Sequence, residues 1–272
     1  MSVIENIASA DSHPSWCPGC GNFPILTAVN EVLDAAEIDR RKLVLVSGIG
    51  QAAKLPFFVD KPTNVFDGLH GRALPAATGI KLANHELTVL VTSGDGDMYG
   101  EGGNHLLHAM RRNIGVKAFV HNNQVYGLTK GQASPTSEMG FETKAQPHGV
   151  KSLPMNPPAM AICEDCSFVA RTFSGDAEHM KQMMRAALDA DGFALLDILQ
   201  PCVSFNRVNT FKWYKDRATP IGDDHDPTDR DAALQLAFTW GDEIPIGIYY
   251  RSDRPSFESQ LEVLNDKPLV KR

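Results

Sequence analysis

Residues 86–123, ELTVLVTSGDGDMYGEGGNHLLHAMRRNIGVKAFVHNN, contain two apolar, β-branched runs separated by a helical pattern. We predict strands at 86–96 and 116–123 and a helix at 102–113 between them. Such a unit joins two parallel strands through a right-handed crossover. The stretch therefore predicts a parallel sheet at the centre of the protein.

The same alternation continues through most of the chain. Continuously apolar strands separated by helices are typical of a parallel sheet that is covered on both faces. The sequence thus predicts an α/β fold, a mostly parallel sheet with helices on both faces. The further predicted strands are 42–48, 167–172 and 193–199, and the further predicted helices are 22–36, 72–84, 177–190 and 229–240.

Two segments fall outside this alternation. Residues 127–160 are rich in Gly and Pro and are too long for an ordinary connection, which indicates a functional loop. From about residue 203 the periodic pattern fades until a short amphipathic helix. We predict one α/β domain at 1–202 and, at 203–272, a C-terminal arm packed on that domain or on a partner subunit.

Composition excludes several classes of protein. The 272 residues are 43% hydrophobic, which is enough for a full core, and the net charge of -7 gives no footprint for nucleic acid or an anionic membrane. No apolar run approaches the length of a membrane span, and the first residues lack a leader pattern. We therefore expect a cytoplasmic protein, in which the five cysteines are ligands, catalysts or core residues.

The two central strands end in polar loops that would meet at the carboxyl edge of the sheet, where open α/β folds bind ligands. Gly94 and Gly96 allow a sharp turn, and Asp95 and Asn123 offer oxygens to a divalent cation. The segment YGEGGN at 99–104 would open a helix and present N–H groups to phosphate. The pattern predicts a magnesium-bridged diphosphate site.

A Cys-x-x-Cys pair, Cys17 and Cys20, lies in HPSWCPGCGNFPIL at 13–26. From the residues alone it is a redox disulfide, half of a zinc site, part of an iron–sulfur site, or two packing residues. A zinc site would need a second pair, and Cys163 with Cys166 is its only candidate. Otherwise those two cysteines are structural.

Several motifs together resemble the β subunit of 2-oxoacid:ferredoxin oxidoreductases, especially the 2-oxoglutarate type. The resemblance extends over about residues 13–255 and includes Gly-Asp-Gly followed by Asn-Asn, which looks like the thiamine diphosphate motif. The matching segments are WCPGCGNF, SGIGQAAKLP, GLHGRALPAATGIKLAN, GDGDMYGEGGNHLLHAMRRN, NNQVYGLTKGQASPT and LQPCVSFN.

The resemblance implies a set of cofactor contacts in a thiamine diphosphate-binding fold. Magnesium would be bound by Asp95, Asn123 and the Val125 carbonyl. The diphosphate and the rest of the cofactor would contact Ile49, Gly50, Gln51, Ala52, His70, Gly96, Asp97, Gly127 and Leu128. His70 and Lys54 would be the catalytic residues, with Lys54 near the carboxylate of the substrate. From the residues alone, His70 is better explained as a capping or core histidine and Lys54 as a surface lysine.

The resemblance also implies a reaction and its partners. A 2-oxoacid would be oxidatively decarboxylated, coenzyme A would take the acyl group, and a 4Fe-4S cluster at Cys17, Cys20 and Cys202 would pass electrons to ferredoxin. Gln51 stands where the family has its fourth cluster cysteine. An obligate α subunit would complete the active site. The alternatives are a non-oxidative thiamine diphosphate decarboxylase or synthase, and a non-catalytic electron-transfer subunit.

Overall fold

All the strands predicted from apolar runs form in the computed structural model, which describes residues 13–265 and 267–271. The N-terminal stretch without a leader pattern lies mostly outside these residues. The eight strands are β1 Leu43–Ser47, β2 Asn64–Asp67, β3 Thr88–Gly94, β4 Val116–Asn122, β5 Phe168–Phe173, β6 Ala194–Leu199, β7 Ala218–Pro220 and β8 Ile244–Arg251.

The strands join one sheet in the order β2-β1-β3-β4-β6-β5-β8-β7. Neighbouring strands are parallel throughout, except that β8 runs antiparallel to β5. The mostly parallel sheet is thereby confirmed. The segment after residue 203 contributes β7 and β8 to the same sheet, while the boundary at 202 stays a prediction.

Helices cover both faces of the sheet, as the apolar strands require. The helices are α1 Asn22–Ala35, α2 Ala73–Ala83, α3 Gly103–Arg112, α4 Pro157–Cys163, α5 Ala177–Asp189, α6 Phe211–Lys215 and α7 Arg230–Phe238. Leu45 and Leu90 point into one core with α1 and α5, whereas Val46 and Val91 point into the other with α2, α3, α4 and α7. Alternate side chains of each strand thus fill opposite cores. No helix in the described ranges has the length and apolarity to cross a membrane.

The sequence analysis missed the elements whose local signals are weak. Strand β2 is exposed along its whole length, β8 contains Pro245 and Gly247, and α6 has only five residues. The long loop ends at residue 156 and not at 160, because α4 starts at Pro157. Asn156 caps that helix by accepting a hydrogen bond from the Ala159 N–H at 3.2 Å.

Candidate active site

The candidate site lies at the carboxyl edge of the sheet. Strands β1, β3, β4 and β6 are parallel neighbours, so the loops that follow them emerge side by side. These loops start at Gly48, Asp95, Asn123 and Gln200. The sheet therefore brings together segments of the chain that are far apart in sequence.

The helical turn after β3 begins earlier than the sequence analysis expected. A π-helical turn spans Gly96–Glu101 and runs directly into α3, with the Gly102 N–H donating to the Asp97 carbonyl at 2.9 Å. The α-helix does begin within the predicted segment 99–104, at Gly103, but the preceding π-helical turn already engages the Gly102 N–H. The first N–H groups of the helical segment therefore belong to Gly96 and its successors, and the Gly96 N–H itself hydrogen-bonds the Asp95 carboxylate. π-Helical turns are rare and frequent at functional sites.

Gly96 is required by a neighbouring ring. A Cβ at this position would lie 2.2 Å from Cε1 of Tyr126. The Tyr126 hydroxyl donates to Oε2 of Glu101 at 3.1 Å, and this fixes the ring against the turn. The glycine therefore lets the loop after β4 pack directly on the first turn after β3.

Asp95 is a buried carboxylate without a cationic partner. Its Oδ2 accepts hydrogen bonds from Ser134 Oγ at 2.5 Å and Thr136 Oγ1 at 2.8 Å. No ion pair of the described residues includes Asp95. Burial raises the pKa of Asp95 to about 6. A buried carboxylate in this state suits a bound metal cation.

The next loop supplies neutral oxygens. Asn123 Oδ1 accepts the Val125 N–H at 3.1 Å, and Asn123 Nδ2 donates to Gln200 Oε1 at 3.0 Å. Within 13–265 and 267–271, no group of three or more His, Cys, Asp or Glu side chains is arranged to hold a metal ion. A magnesium site here would combine one carboxylate with amide, carbonyl and phosphate oxygens. That oxygen-only set fits magnesium.

Asp97 ties three loops of the site together. Its Oδ1 accepts the N–H of Ile49 at 3.1 Å and of Gly71 at 2.7 Å, and its Oδ2 accepts the Ser93 hydroxyl at 2.6 Å. Gly48 must be glycine, because a Cβ there would lie 2.1 Å from Oδ2 of Asp97. The carboxylate is thus fully engaged by the protein. A contact of Asp97 with diphosphate would have to come from its backbone.

The two residues expected to be catalytic both follow strands at this edge, Lys54 in a 3-10 helix at Ala52–Phe58 and His70 in the loop after β2. The Nδ1 atom of His70 is 3.1 Å from Oδ1 of Asp97 and 3.3 Å from Oε2 of Glu101, without hydrogen-bond geometry to either. Lys54 Nζ donates to Ser15 Oγ at 3.1 Å. This bond places the lysine beside the segment that carries Cys17.

The remaining predicted cofactor contacts differ in exposure. Ala52 is buried, whereas Ile49 and Leu128 leave about two fifths of their surface exposed. Gly50 has φ +140°, and a Cβ there would meet nothing within 4 Å. Ile49, Gly50 and Leu128 therefore border open space at the edge of the sheet, whereas Ala52 packs inside.

The three cysteines that the sequence analysis grouped line one pocket. Cys17 and Cys20 come from the segment before α1, and Cys202 follows β6. The Cys20 thiol accepts a hydrogen bond from Gln200 Nε2 at 3.5 Å. Burial, with contributions from the nearby Cys202 and Cys17, raises the pKa of the Cys20 thiol to about 11. All five cysteines are free, so the redox disulfide is not formed in this structure.

Two buried polar side-chain atoms at this pocket have no hydrogen-bond partner among the described residues. They are Oε1 of Gln51 and Nδ2 of Asn22, and both residues line the cysteine pocket. Buried polar atoms without partners are uncommon and indicate an absent water, ion or ligand. The three thiols are not arranged as a preformed metal site, but thiols are the ligand type of an iron–sulfur cluster, in which each thiolate binds a different iron.

The second cysteine pair does not reach this pocket. Cys163 ends α4 and is exposed, and Cys166 is fully buried in the core beside Ile162 and Val169. Burial raises the pKa of the Cys166 thiol well above its usual range. Cys166 is therefore a packing residue.

The sequence analysis missed the side chains that support the predicted ligands. Ser134 and Thr136 hold Asp95 from the long loop, and Gln200 contacts both Asn123 and Cys20. The only signal was indirect, since the loop length already indicated a function. Hydroxyl and amide side chains have no spacing rule that reveals such contacts.

Comparisons with known proteins identify two matching families. Residues 48–198, more than half of the chain, match the family described as thiamine pyrophosphate enzyme, C-terminal TPP binding domain. Residues 202–266 match the family described as the C terminal of the pyruvate ferredoxin oxidoreductase beta subunit.

Among curated proteins, the chain is 42% identical over 259 residues to the 2-oxoacid:ferredoxin oxidoreductase subunit beta of Sulfolobus sp, with 91% of this chain and 85% of that protein covered. It is 43% identical over 198 residues to the 2-oxoglutarate oxidoreductase subunit KorB of Mycobacterium tuberculosis, with 73% and 52% covered.

A solved structure is similar over most of its length. The 2-oxoglutarate:ferredoxin oxidoreductase from Magnetococcus marinus, with 2-oxoglutarate, coenzyme A and succinyl-CoA bound, superposes with a TM-score of 0.88 and 37% identity. The alignment covers 91% of this chain and 84% of that one. The chain belongs to the family of 2-oxoacid:ferredoxin oxidoreductase β subunits.

Proposed function

We propose that this protein, as a β subunit working with an α subunit, catalyses the oxidative decarboxylation of a 2-oxoacid to an acyl-CoA and passes the electrons through an iron–sulfur cluster to ferredoxin. The observation that carries the proposal is the continuity of two sites. The cysteine pocket is also lined by Gln51, Asn123 and Gly127, which are expected cofactor or magnesium contacts. An electron acceptor in that pocket would therefore lie directly beside the cofactor.

Different loop residues would contact the magnesium, the diphosphate and the rest of the cofactor. Thiamine diphosphate, when bound, supplies the electron sink that decarboxylation of a 2-oxoacid requires. Asp95, Asn123 and the Val125 carbonyl would hold magnesium, and the Gly96 turn would donate N–H groups to phosphate. Residues 49–52, 70, 127 and 128 would surround the rest of the cofactor.

Two side chains are proposed to act on the reacting groups. Lys54 lies beside the cysteine-bearing segment and would attract the carboxylate of the substrate. His70, on the loop that Asp97 anchors, would face the cofactor with its exposed surface. Lys54 is placed by a 3-10 helix at Ala52–Phe58, whereas the placement of His70 depends on the hydrogen bonds that fix its loop.

2-Oxoglutarate is the substrate that we propose. The Mycobacterium tuberculosis relative is named a 2-oxoglutarate oxidoreductase subunit, and the Magnetococcus marinus structure holds 2-oxoglutarate and succinyl-CoA. Lys54 supplies a cation suited to an acidic substrate. The expected products are therefore succinyl-CoA, carbon dioxide and reduced ferredoxin.

We propose an α subunit because apolar side chains around the candidate site are exposed. The relatives that the chain matches are named beta subunits, and its own family match is to a C-terminal thiamine pyrophosphate-binding domain. Apolar side chains on the loops at this edge are exposed to solvent; they include Ile49, Leu69, Leu128, Val203 and Phe205. Exposed apolar patches of this kind mark interfaces. We infer that a partner covers them and completes the active site.

The test is activity and cofactor content of the anaerobically purified complex. We expect bound thiamine diphosphate, magnesium and iron, with coenzyme A-dependent reduction of ferredoxin by 2-oxoglutarate faster than by pyruvate. Asp95→Asn should abolish magnesium and cofactor binding, whereas Asp253→Asn, an exposed residue after β8, should not.

Three results would contradict the proposal. If the isolated β chain were as active as the complex, the reaction would not require an α subunit. A complex that binds thiamine diphosphate but no iron and releases an aldehyde would favour a non-oxidative enzyme. Iron without thiamine diphosphate would favour a non-catalytic electron-transfer subunit.

A further inference from the structure

We propose that Gln51 occupies the fourth corner of the cysteine pocket, so that a four-iron cluster there has three cysteine ligands and one iron open to an exchangeable ligand. The inference rests on the proposed function, which places a cluster between Cys17, Cys20 and Cys202. It goes further by assigning a role to a residue that supplies no thiolate.

The backbone of Gln51 is fixed next to the cysteine pair. Trp16 Nε1 donates to the Gln51 carbonyl at 2.8 Å. Trp16 is itself buried and packs edge-on against Phe23 and Phe58, with ring centroids 5.3 and 5.4 Å apart. The residue immediately before Cys17 therefore fixes the backbone of Gln51 at the same pocket. The position of Gln51 is set by packing and not by a flexible loop.

The side chain of Gln51 lacks the partner that a buried amide needs. Its Oε1 is buried and has no donor among the described residues. An unsatisfied buried acceptor costs about 1–3 kcal/mol, so the oxygen is expected to meet something in the functional protein. An iron atom in the pocket would accept its lone pair.

The second buried atom without a partner is a hydrogen-bond donor, whereas Gln51 Oε1 is an acceptor. Asn22 Nδ2 is a buried donor without an acceptor among the described residues, while Asn22 Oδ1 lies 2.8 Å from Nδ1 of His121. A ligand in this pocket would satisfy both atoms if it presented an electrophilic atom to Gln51 and a hydrogen-bond acceptor to Asn22. A cluster of iron and sulfide offers both. A water molecule also offers both, and the experiment below separates the two.

No fourth thiolate from the described part of this chain is available. Cys163 lies on the exposed end of α4, and Cys166 is sealed in the core. A neutral amide oxygen is a weak ligand for iron that prefers thiolate. The corner iron would thus be bound loosely, which lets small ligands replace the amide and lets oxidants remove the iron.

The experiment compares the wild-type complex with Gln51→Cys, Gln51→Ala and Gln51→Glu under anaerobic conditions. Oxidation by ferricyanide takes one electron from the [4Fe-4S]²⁺ cluster and releases one Fe²⁺, which leaves [3Fe-4S]⁺. The released iron is captured by a chelator, and the three-iron product is measured by electron paramagnetic resonance. Urea unfolding of every variant is the control for folding, because Gln51 is itself an expected cofactor contact.

We expect the wild-type cluster to lose one iron readily and Gln51→Cys to lose it at least about tenfold more slowly, because the fourth thiolate closes the cage. Added 2-mercaptoethanol should shift the resonance of the reduced wild-type cluster but not that of Gln51→Cys. Gln51→Ala should bind the added thiol several-fold more tightly, since no amide competes, and Gln51→Glu less tightly.

Several outcomes would overturn the inference while leaving the proposed function intact. Equal iron loss in wild type and Gln51→Cys would mean that Gln51 does not face the fourth iron. A wild-type cluster that resists ferricyanide and added thiol would have a fourth ligand from elsewhere. Identical thiol affinities in wild type and Gln51→Ala would mean that Gln51 meets only water. Thiamine diphosphate without iron would instead refute the proposed electron route.

Discussion

Replacing Asp97 by alanine should loosen the loops of the candidate site without unfolding the sheet. The carboxylate accepts hydrogen bonds from the backbone N–H groups of Ile49 and Gly71 and from the hydroxyl of Ser93. These donors belong to the loops after β1 and β2 and to the end of β3. Loss of one side chain therefore frees three connections at the same time.

The size of the effect follows from the donors left behind. The Ser93 hydroxyl has an alternative acceptor, the Gly94 carbonyl at 3.3 Å, but the two backbone N–H groups have none in the described residues. At about 1–3 kcal/mol for the buried Gly71 donor and less for the part-buried Ile49 donor, Asp97→Ala should cost about 2–4 kcal/mol. A loss near 4 kcal/mol corresponds to a roughly thousandfold change in the local opening equilibrium.

Asp97→Asn is the matched control, because both N–H groups bind the same oxygen, Oδ1, which an amide retains. We expect it to cost about 1 kcal/mol, through the weaker neutral acceptor. The assay is hydrogen exchange with mass spectrometry on peptides that cover 48–52 and 68–72. A peptide covering α5, on the other face of the sheet, reports global stability.

The reasoning would be refuted by equal exchange in Asp97→Ala and wild type. It would also be refuted if exchange in Asp97→Ala sped up by the same factor in α5 as in the two loops. The first result would mean that water replaces the carboxylate at little cost. The second would mean that Asp97 supports the whole fold and not the site.

Further predictions concern the substrate, the metal and the acid stability of the fold. Lys54→Ala should lower kcat/KM by roughly ten- to a hundredfold at unchanged thiamine diphosphate content, since a charged hydrogen bond is worth about 1.5–3 kcal/mol; an unchanged kcat/KM would remove Lys54 from the site. Thr136→Val removes one donor to Asp95 and should weaken magnesium binding about five- to thirtyfold in a titration, whereas Thr219→Val, an exposed residue of β7, should leave the affinity as it is. Burial lowers the pKa of His121 from 6.5 to about 3, so below pH 6.5 only the unfolded chain takes up this proton, and the free energy of unfolding should fall by about 1.4 kcal/mol per pH unit. His121→Gln should flatten that slope in urea unfolding between about pH 6.5 and 5, and a slope identical to wild type would assign the acid loss to other groups.

The sheet and its covering helices could be predicted because their sequences carry strong local signals. The five strands that the sequence analysis placed are buried on both faces, and their apolar runs end within one or two residues of the observed strands. Strands β2 and β7 lack such runs, because they are short and mostly exposed at the two edges of the sheet. Edge strands need little burial, so their sequences reveal little.

The sequence by itself also determined which loops meet at the candidate site. Parallel strands place their carboxyl ends at one edge, so Asp95 and Asn123 had to approach each other once β3 and β4 were recognised. The grouping of Cys202 with Cys17 and Cys20, in contrast, came from family resemblance. No local pattern links two ends of a chain that are separated by most of its length.

Only the tertiary structure decided what each polar side chain of the site contacts. It turned the Asp97 carboxylate toward the loops, placed Ser134 and Thr136 beneath Asp95, and left the Gln51 oxygen without a donor from the described residues in the cysteine pocket. The physical reason is the range of the forces. Apolar periodicity is a local property that sets strands and helices, whereas a hydrogen bond forms wherever folding brings a donor and an acceptor within about 3 Å, regardless of their distance in sequence.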